Sequence, residues 1–185
     1  ADGQGSVTGK GSYKYGDKAT LTAIPVTGYK FVKWQDGNTQ NPREITVTKN
    51  ETYTATFAIG TYTLTVTSNG NGTVSGGGTY DYGKKVTLKA TADANYHFVK
   101  WSDGNTNATR EVTVKGDATY TATFAINQHT LTVTSNGNGT VTGGGTYDYG
   151  KKVTIKATAD ANYHFVKWSD GNTNATREVT VKGDA

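Results

Sequence analysis

The amino-acid sequence predicts an all-β protein, a tandem array of small antiparallel modules of about six short strands each. Three observations predict it. The stretch G-Y-K-F-V-K-W-Q-D-G-N at 28–38 returns as N-Y-H-F-V-K-W-S-D-G-N at 95–105 and 162–172. The three tryptophans, Trp34, Trp101 and Trp168, therefore fall 67 residues apart (101 − 34 and 168 − 101), and a fixed period of that length marks a repeat array. Between them, apolar and polar residues alternate in short runs separated by Gly-, Asn- and Asp-rich turns, and no segment holds a helical period of adequate length.

Aligned on the tryptophans, the copies need no gaps. Gly70 to Ala118 matches Gly137 to Ala185 except at Ser75/Thr142 and Leu88/Ile155, whereas the first copy has drifted further. The expected modules are 1–59, 60–126 and 127–185. Residue 1 begins just past the position of a first strand, and Ala185 stops just before a last one, so the first module lacks its opening strand and the third its closing strand. Chain boundaries explain this simply; the sharper expectation is head-to-tail self-association through unpaired sheet edges. A module of about 65 residues buries only some 60% of its unfolded surface, so neighbouring repeats should support one another.

The second module carries each element. Tyr62 to Thr67 alternates strictly, with Tyr62, Leu64 and Val66 inward and threonines outward, as a half-buried strand does. Ser68 to Gly72 is a turn, because Asn-Gly supplies positive φ. Thr73 to Ser75 returns as a short strand, and Tyr80 and Tyr82 share one face of an extended piece ending at Gly83. Lys85 to Ala92 alternates again with Val86, Leu88, Ala90 and Ala92 inward, then Asp93-Ala-Asn95 turns the chain. In the Trp stretch Tyr96 and Phe98 face one way, while Val99 and Trp101 lie on the other face or are bulged toward it. Arg110 to Lys115 places Val112 and Val114 inward, and Thr119 to Phe124 closes the module with Tyr120, Ala122 and Phe124 inward. The linkers, Ile59-Gly60-Thr61 and Ile126-Asn127-Gln128, are too short for free rotation, and their isoleucines are expected to pack at the junction.

Composition narrows the function classes. There is no cysteine, so neither disulfides nor thiolate metal sites are available. The formal charge of +4 is spread along the chain among interleaved acids, unlike the clustered basic face of a nucleic-acid binder. No apolar run approaches membrane-spanning length.

The residue pattern Tyr-x-Tyr-Gly-x-Lys-Val-Thr-Leu-x-Ala, then Tyr-x-Phe-x-x-Trp-x-Asp-Gly, then Val-Thr-Val and Tyr-x-Ala-x-Phe, resembles the divergent internalin-type B repeats across essentially the whole chain. That resemblance implies a β-rich tandem repeat of bacterial surface proteins, extracellular and without enzymatic activity, often set between an adhesive tip and a cell-wall anchor. It also implies a compact β-grasp-like fold, although no segment here is long enough for the helix of that topology.

Candidate site residues are weighed on the copies themselves. The tryptophans, with Tyr80, Tyr82 and Tyr96, could stack sugars, but large aromatics dominate the packing of small domains, which makes them core. The expected core comprises Trp34, Trp101 and Trp168, with Tyr29, Tyr96 and Tyr163, Phe31, Phe98 and Phe165, and Phe57 and Phe124. Asp36-Gly37, Asp103-Gly104 and Asp170-Gly171 are expected turns. Asp103 to Asn107 with Glu111 fails calcium-loop spacing. His97 and His164 align with Lys30, and His129 with Tyr62, so they are read as exposed strand positions. A Ser102, Asp103 and His97 triad fails because Ser102 aligns with Gln35. The outward threonines suit the solvent face of strands better than a crystal-matching plane. Lys84-Lys85 and Lys151-Lys152 read as solvated charges that discourage edge pairing. No catalytic residue, metal or cofactor is expected. The expected role is a structural stalk or spacer; the alternatives are weak multivalent binding of glycans or host surfaces and fibre formation through the terminal strands.

Overall fold

Each alternating run becomes a strand where it finds a neighbour. The computed structural model describes residues 3–185, among which the first module holds β1 (Gly5–Thr8), β2 (Lys18–Pro25), β3 (Tyr29–Trp34), β4 (Arg43–Thr46) and β5 (Ala55–Ile59). The second holds β6 (Thr61–Ser68), β7 (Gly72–Ser75), β8 (Gly78–Asp81), β9 (Lys85–Ala92), β10 (Tyr96–Trp101), β11 (Thr109–Thr113) and β12 (Ala118–Ile126). The third holds β13 (Gln128–Leu131), β14 (Gly139–Thr142), β15 (Gly145–Asp148), β16 (Lys152–Ala159) and β17 (Thr176–Thr180).

The second module is two sheets around one core. One sheet has the order β10-β12-β6-β8 and the other β11-β9-β7. Alternation sends Leu64 and Ala122, Phe124 and Trp101 inward from the first sheet, to meet Val86, Leu88, Ala90 and Val112 from the second; all are buried. Truncating a fully buried leucine such as Leu88 to alanine costs about 2–5 kcal/mol. The close approach of the sheets fixes Gly72, where a Cβ would lie 2.6 Å from the Phe124 ring and 2.7 Å from the Thr91 carbonyl oxygen. Among the described residues there is no helix, so each module is a helix-free set of small sheets.

Two further expectations change. The pairing is antiparallel almost throughout, but β6 and β12 run parallel, Ala118 opposite Leu64 through Ala122 opposite Ser68. Parallel neighbours need a long crossover, and the whole of β7–β11 supplies it. The Trp stretch is bulged: Phe98 pairs with Phe124 and Lys100 with Thr123, which leaves Val99 as the extra residue. The bulge reverses the phase, so Trp101 joins Tyr96 and Phe98 on the inner face and Val99 is turned out to 36% exposure.

Identical sequence does not give identical structure in every copy. Residues 163–168 match β10, yet they form no ladder in the third module, where no partner equivalent to β12 lies beside them. Tyr163 is accordingly 58% exposed, which corrects its assignment to the core. Phe165 and Trp168 are half-buried. By the same logic β13 stops at Leu131 while β6 continues to Ser68, because its last four residues lie beside β12. In the first module Trp34, Phe57 and Leu21 form the buried centre with Tyr29 and Phe31 packed against them.

Candidate functional site

The Trp stretch and its turn form one hydrogen-bonded unit in each module. Trp101 is 0% exposed, its ring 5.6 Å from that of Phe98. Its amide donates to the Asn105 carbonyl (2.8 Å) and its carbonyl accepts from the Gly104 amide (2.9 Å), closing the reversal. Gly104 has φ 86, a value that glycine adopts without steric cost. The polar residues then act in sequence. The Asn105 amide donates to Asp103 Oδ1 (3.2 Å), the Asn107 amide donates to Asn105 Oδ1 (2.9 Å), and the Trp101 indole N–H donates to the Asn107 carbonyl (2.9 Å). The same indole bond is made by Trp34 to Gln40 and by Trp168 to Asn174. Gly37 and Gly171 close the equivalent reversals with φ 84 and 87.

An arginine that sequence reasoning did not single out completes the unit. Arg110 Nη1 donates to both oxygens of Asp103 (2.7 and 2.5 Å) and its guanidinium lies 5.5 Å from the Tyr120 ring centre. Arg43 pairs with Asp36 in the same way, and Arg177 reaches the two oxygens of Asp170 through Nη1 and Nη2. The signal was present: an Asp-Arg pair at a spacing of seven in all three copies. The hydrogen bond from Arg110 holds the Asp103 carboxyl below its ordinary pKa, as Arg43 does for Asp36 and Arg177 for Asp170. With its oxygens engaged by Arg110 and the Asn105 amide, Asp103 is a turn residue rather than a cation ligand. No cluster of three or more His, Asp or Glu side chains gathers among the described residues.

The three residues of the triad reading are each engaged elsewhere. Ser102 Oγ accepts from the Thr121 amide (3.1 Å), Asp103 holds Arg110, and His97 Nδ1 lies 3.0 Å from Asn127 Oδ1. The Tyr80 hydroxyl donates to the Gly76 carbonyl (3.2 Å), and the buried Trp101 offers no free ring face. The outward threonines of β6 bond their neighbours, Thr67 to Thr121 at 2.9 Å. Lys85 pairs with Glu111 at 2.9 Å on β9, the central strand of its sheet, so it guards no edge.

The junctions between modules are built from the linker residue outward. β5 ends at Ile59 and β6 starts at Thr61, so Gly60 alone lies between strands, as does Asn127 at the second junction. The Gly60 amide donates back to the Gly28 carbonyl (2.6 Å), and its carbonyl accepts from the Tyr82 amide of the following module (2.8 Å). Asn127 repeats both bonds, to the Asn95 carbonyl and from the Tyr149 amide (2.8 Å each). Tyr82 packs on Gly28, where a Cβ would stand 2.3 Å from its ring. Lys30 reaches the Thr61 carbonyl (3.2 Å) and lies 4.9 Å from the Tyr62 ring centre. His97 takes the place of Lys30 at the second junction, its Nδ1 3.0 Å from Asn127 Oδ1, so that exposed position is also a junction position. Ile59, expected to pack there, is 42% exposed. Tyr82 does that packing instead, because the Trp stretch of the preceding module begins at Gly28, directly against its ring.

These features define a class: a tandem array of small β modules, the second closed by pairing of its own first and last strands, each module tied to the next through a single bonded residue. The chain belongs to the divergent InlB B-repeat domain family, whose model matches residues 1–61, 62–128 and 129–184. A comparison with curated proteins gave no match. Family membership suggests a repeat of bacterial surface proteins. Among the described residues no helix is long and apolar enough to cross a membrane.

Proposed function

We propose that the chain is a stalk or spacer of a bacterial cell-surface or secreted protein, not an enzyme, and that it holds functional domains at a set distance and orientation. The observation that supports this best is the one-residue linker bonded on both sides. A flexible spacer lets its domains tumble independently. Gly60 and Asn127 cannot rotate without breaking two backbone hydrogen bonds each. Repetition of this junction propagates a fixed step from module to module, so length grows with copy number. The partners of each module are its neighbours in the chain. The family supports the extracellular, bacterial-surface setting.

Small-angle scattering tests the reading directly. The parent chain is compared with one carrying a Gly-Ser-rich insertion after Gly60 and after Asn127. A rigid array gives a well-defined maximum dimension that the insertions blur and shift. Identical flexibility in the two chains would rule the spacer mechanism out.

A further inference from the structure

We propose that each complete module is a shear clamp, able to carry tension along the chain without opening. It deepens the stalk reading by assigning that stalk a resistance to pulling. The argument begins with the direction of two strands. The chain passes into the second module through Gly60 at the start of β6 and leaves it at the end of β12, and these two strands lie side by side in parallel. Tension on the chain pulls the start of β6 one way and the end of β12 the other. In a parallel pair those forces act along the strands, so the ladder bonds must give together. An antiparallel terminal pair would be peeled open one bond at a time.

Side chains extend this ladder past both ends of its regular register. At one end the Thr63 amide donates to Asp117 Oδ1 (2.7 Å). At the other, Asn69 locks onto Phe124: the Phe124 amide donates to Asn69 Oδ1 (2.9 Å) and Asn69 Nδ2 donates to the Phe124 carbonyl (3.2 Å). The Asn69 amide adds a bond to the Ala122 carbonyl (3.0 Å), and the Thr67 and Thr121 hydroxyls meet across the strands at 2.9 Å. On the inner face Leu64, Ala122 and Phe124 are buried, which keeps water from replacing bonds as they stretch. The third module starts the same ladder, with the Thr130 amide on Asp184 Oδ1 (2.9 Å) and Thr132 bonded to Ala185 (2.5 Å). Tension then reaches the clamp without slack, since the linker is one bonded residue.

Single-molecule pulling on the full chain tests the clamp, and the absence of native cysteine allows handles to be placed at will. Thr61→Cys with Gln128→Cys loads the ladder in shear; Thr61→Cys with Lys115→Cys loads both strands from the same end and peels them. All three positions are exposed. The shear geometry should unfold at about twofold higher force or more, because several ladder bonds must break at once rather than singly. Equal forces in the two geometries would overturn the proposal. Asn69→Ala then separates a clamp from ordinary stability: it should lower the shear force and leave the peeling force nearly unchanged. An equal fall in both would remove Asn69 from the clamp. A chain that resists shear yet scatters as a flexible string would refute the spacer reading while leaving the clamp intact.

Discussion

Trp101→Ala is the substitution whose cost can be worked most fully from the structure. The ring is fully shielded from water, packs on Phe98, and satisfies the Asn107 carbonyl through its indole N–H. Replacing such a side chain with alanine costs about 3–5 kcal/mol through lost burial and the cavity left behind. The carbonyl deprived of its donor adds about 1 kcal/mol. At about 0.05–0.15 kcal/mol per residue, a module of this size holds roughly 3–10 kcal/mol in all. The substitution therefore removes much or all of the stability of the second module. The assay is a urea titration followed by amide NMR resonances assigned to β9 and β12, with β2 of the first module as an internal reference. Trp168→Ala serves as a control, since that ring is only half-buried and its loss should cost visibly less. If the β9 and β12 resonances of Trp101→Ala collapse at the same urea concentration as in the parent, the packing argument is refuted.

Acid should act through the aspartate–arginine pairs. Their folded pKa values are depressed, so the stability they add is complete above the unfolded value of about 3.9 and is lost as pH falls through the lower folded value. The urea midpoint should be level from neutral pH to about pH 4 and fall below it; Asp103→Asn should make that fall shallower, and an unaltered acid limb would count against the pair. Tyr82→Ser removes the ring that packs on Gly28, a burial worth about 1–2 kcal/mol. Amide hydrogen exchange at Gly60 should then quicken roughly tenfold while the module cores keep their protection; unchanged exchange would mean that the ring does not hold the junction.

Much of this fold was legible because period-two alternation states which face of a strand is buried. Leu64, Leu88, Ala122 and Phe124 could be placed inward from their neighbours in sequence alone. Alternation does not state which strand lies alongside, so the parallel meeting of β6 and β12 was invisible. Nor does it survive a bulge. In Tyr96 to Trp101 the extra residue Val99 reverses the phase, and two apolar residues in close succession admit either reading. The Asp103–Arg110 pair was less legible because it joins a turn to the following strand, and neither alternation nor turn chemistry reports a contact between the two. Residues 163–168 teach the converse lesson. They share the sequence of β10, but a strand is a relation between two segments, and propensity alone does not supply the second.

The separation in sequence between the two central strands has a consequence for how the module is made. Thr63 bonds Asp117, and Thr67 bonds Thr121, each across 54 residues. A module growing from its N-terminus can form its local hairpins early, but its central ladder cannot close until the final strand has been delivered. Contacts of such range also slow folding, because a long loop must be ordered before they form. The array is therefore completed one unit at a time, each β6 waiting with one edge open until its own β12 arrives and seals it.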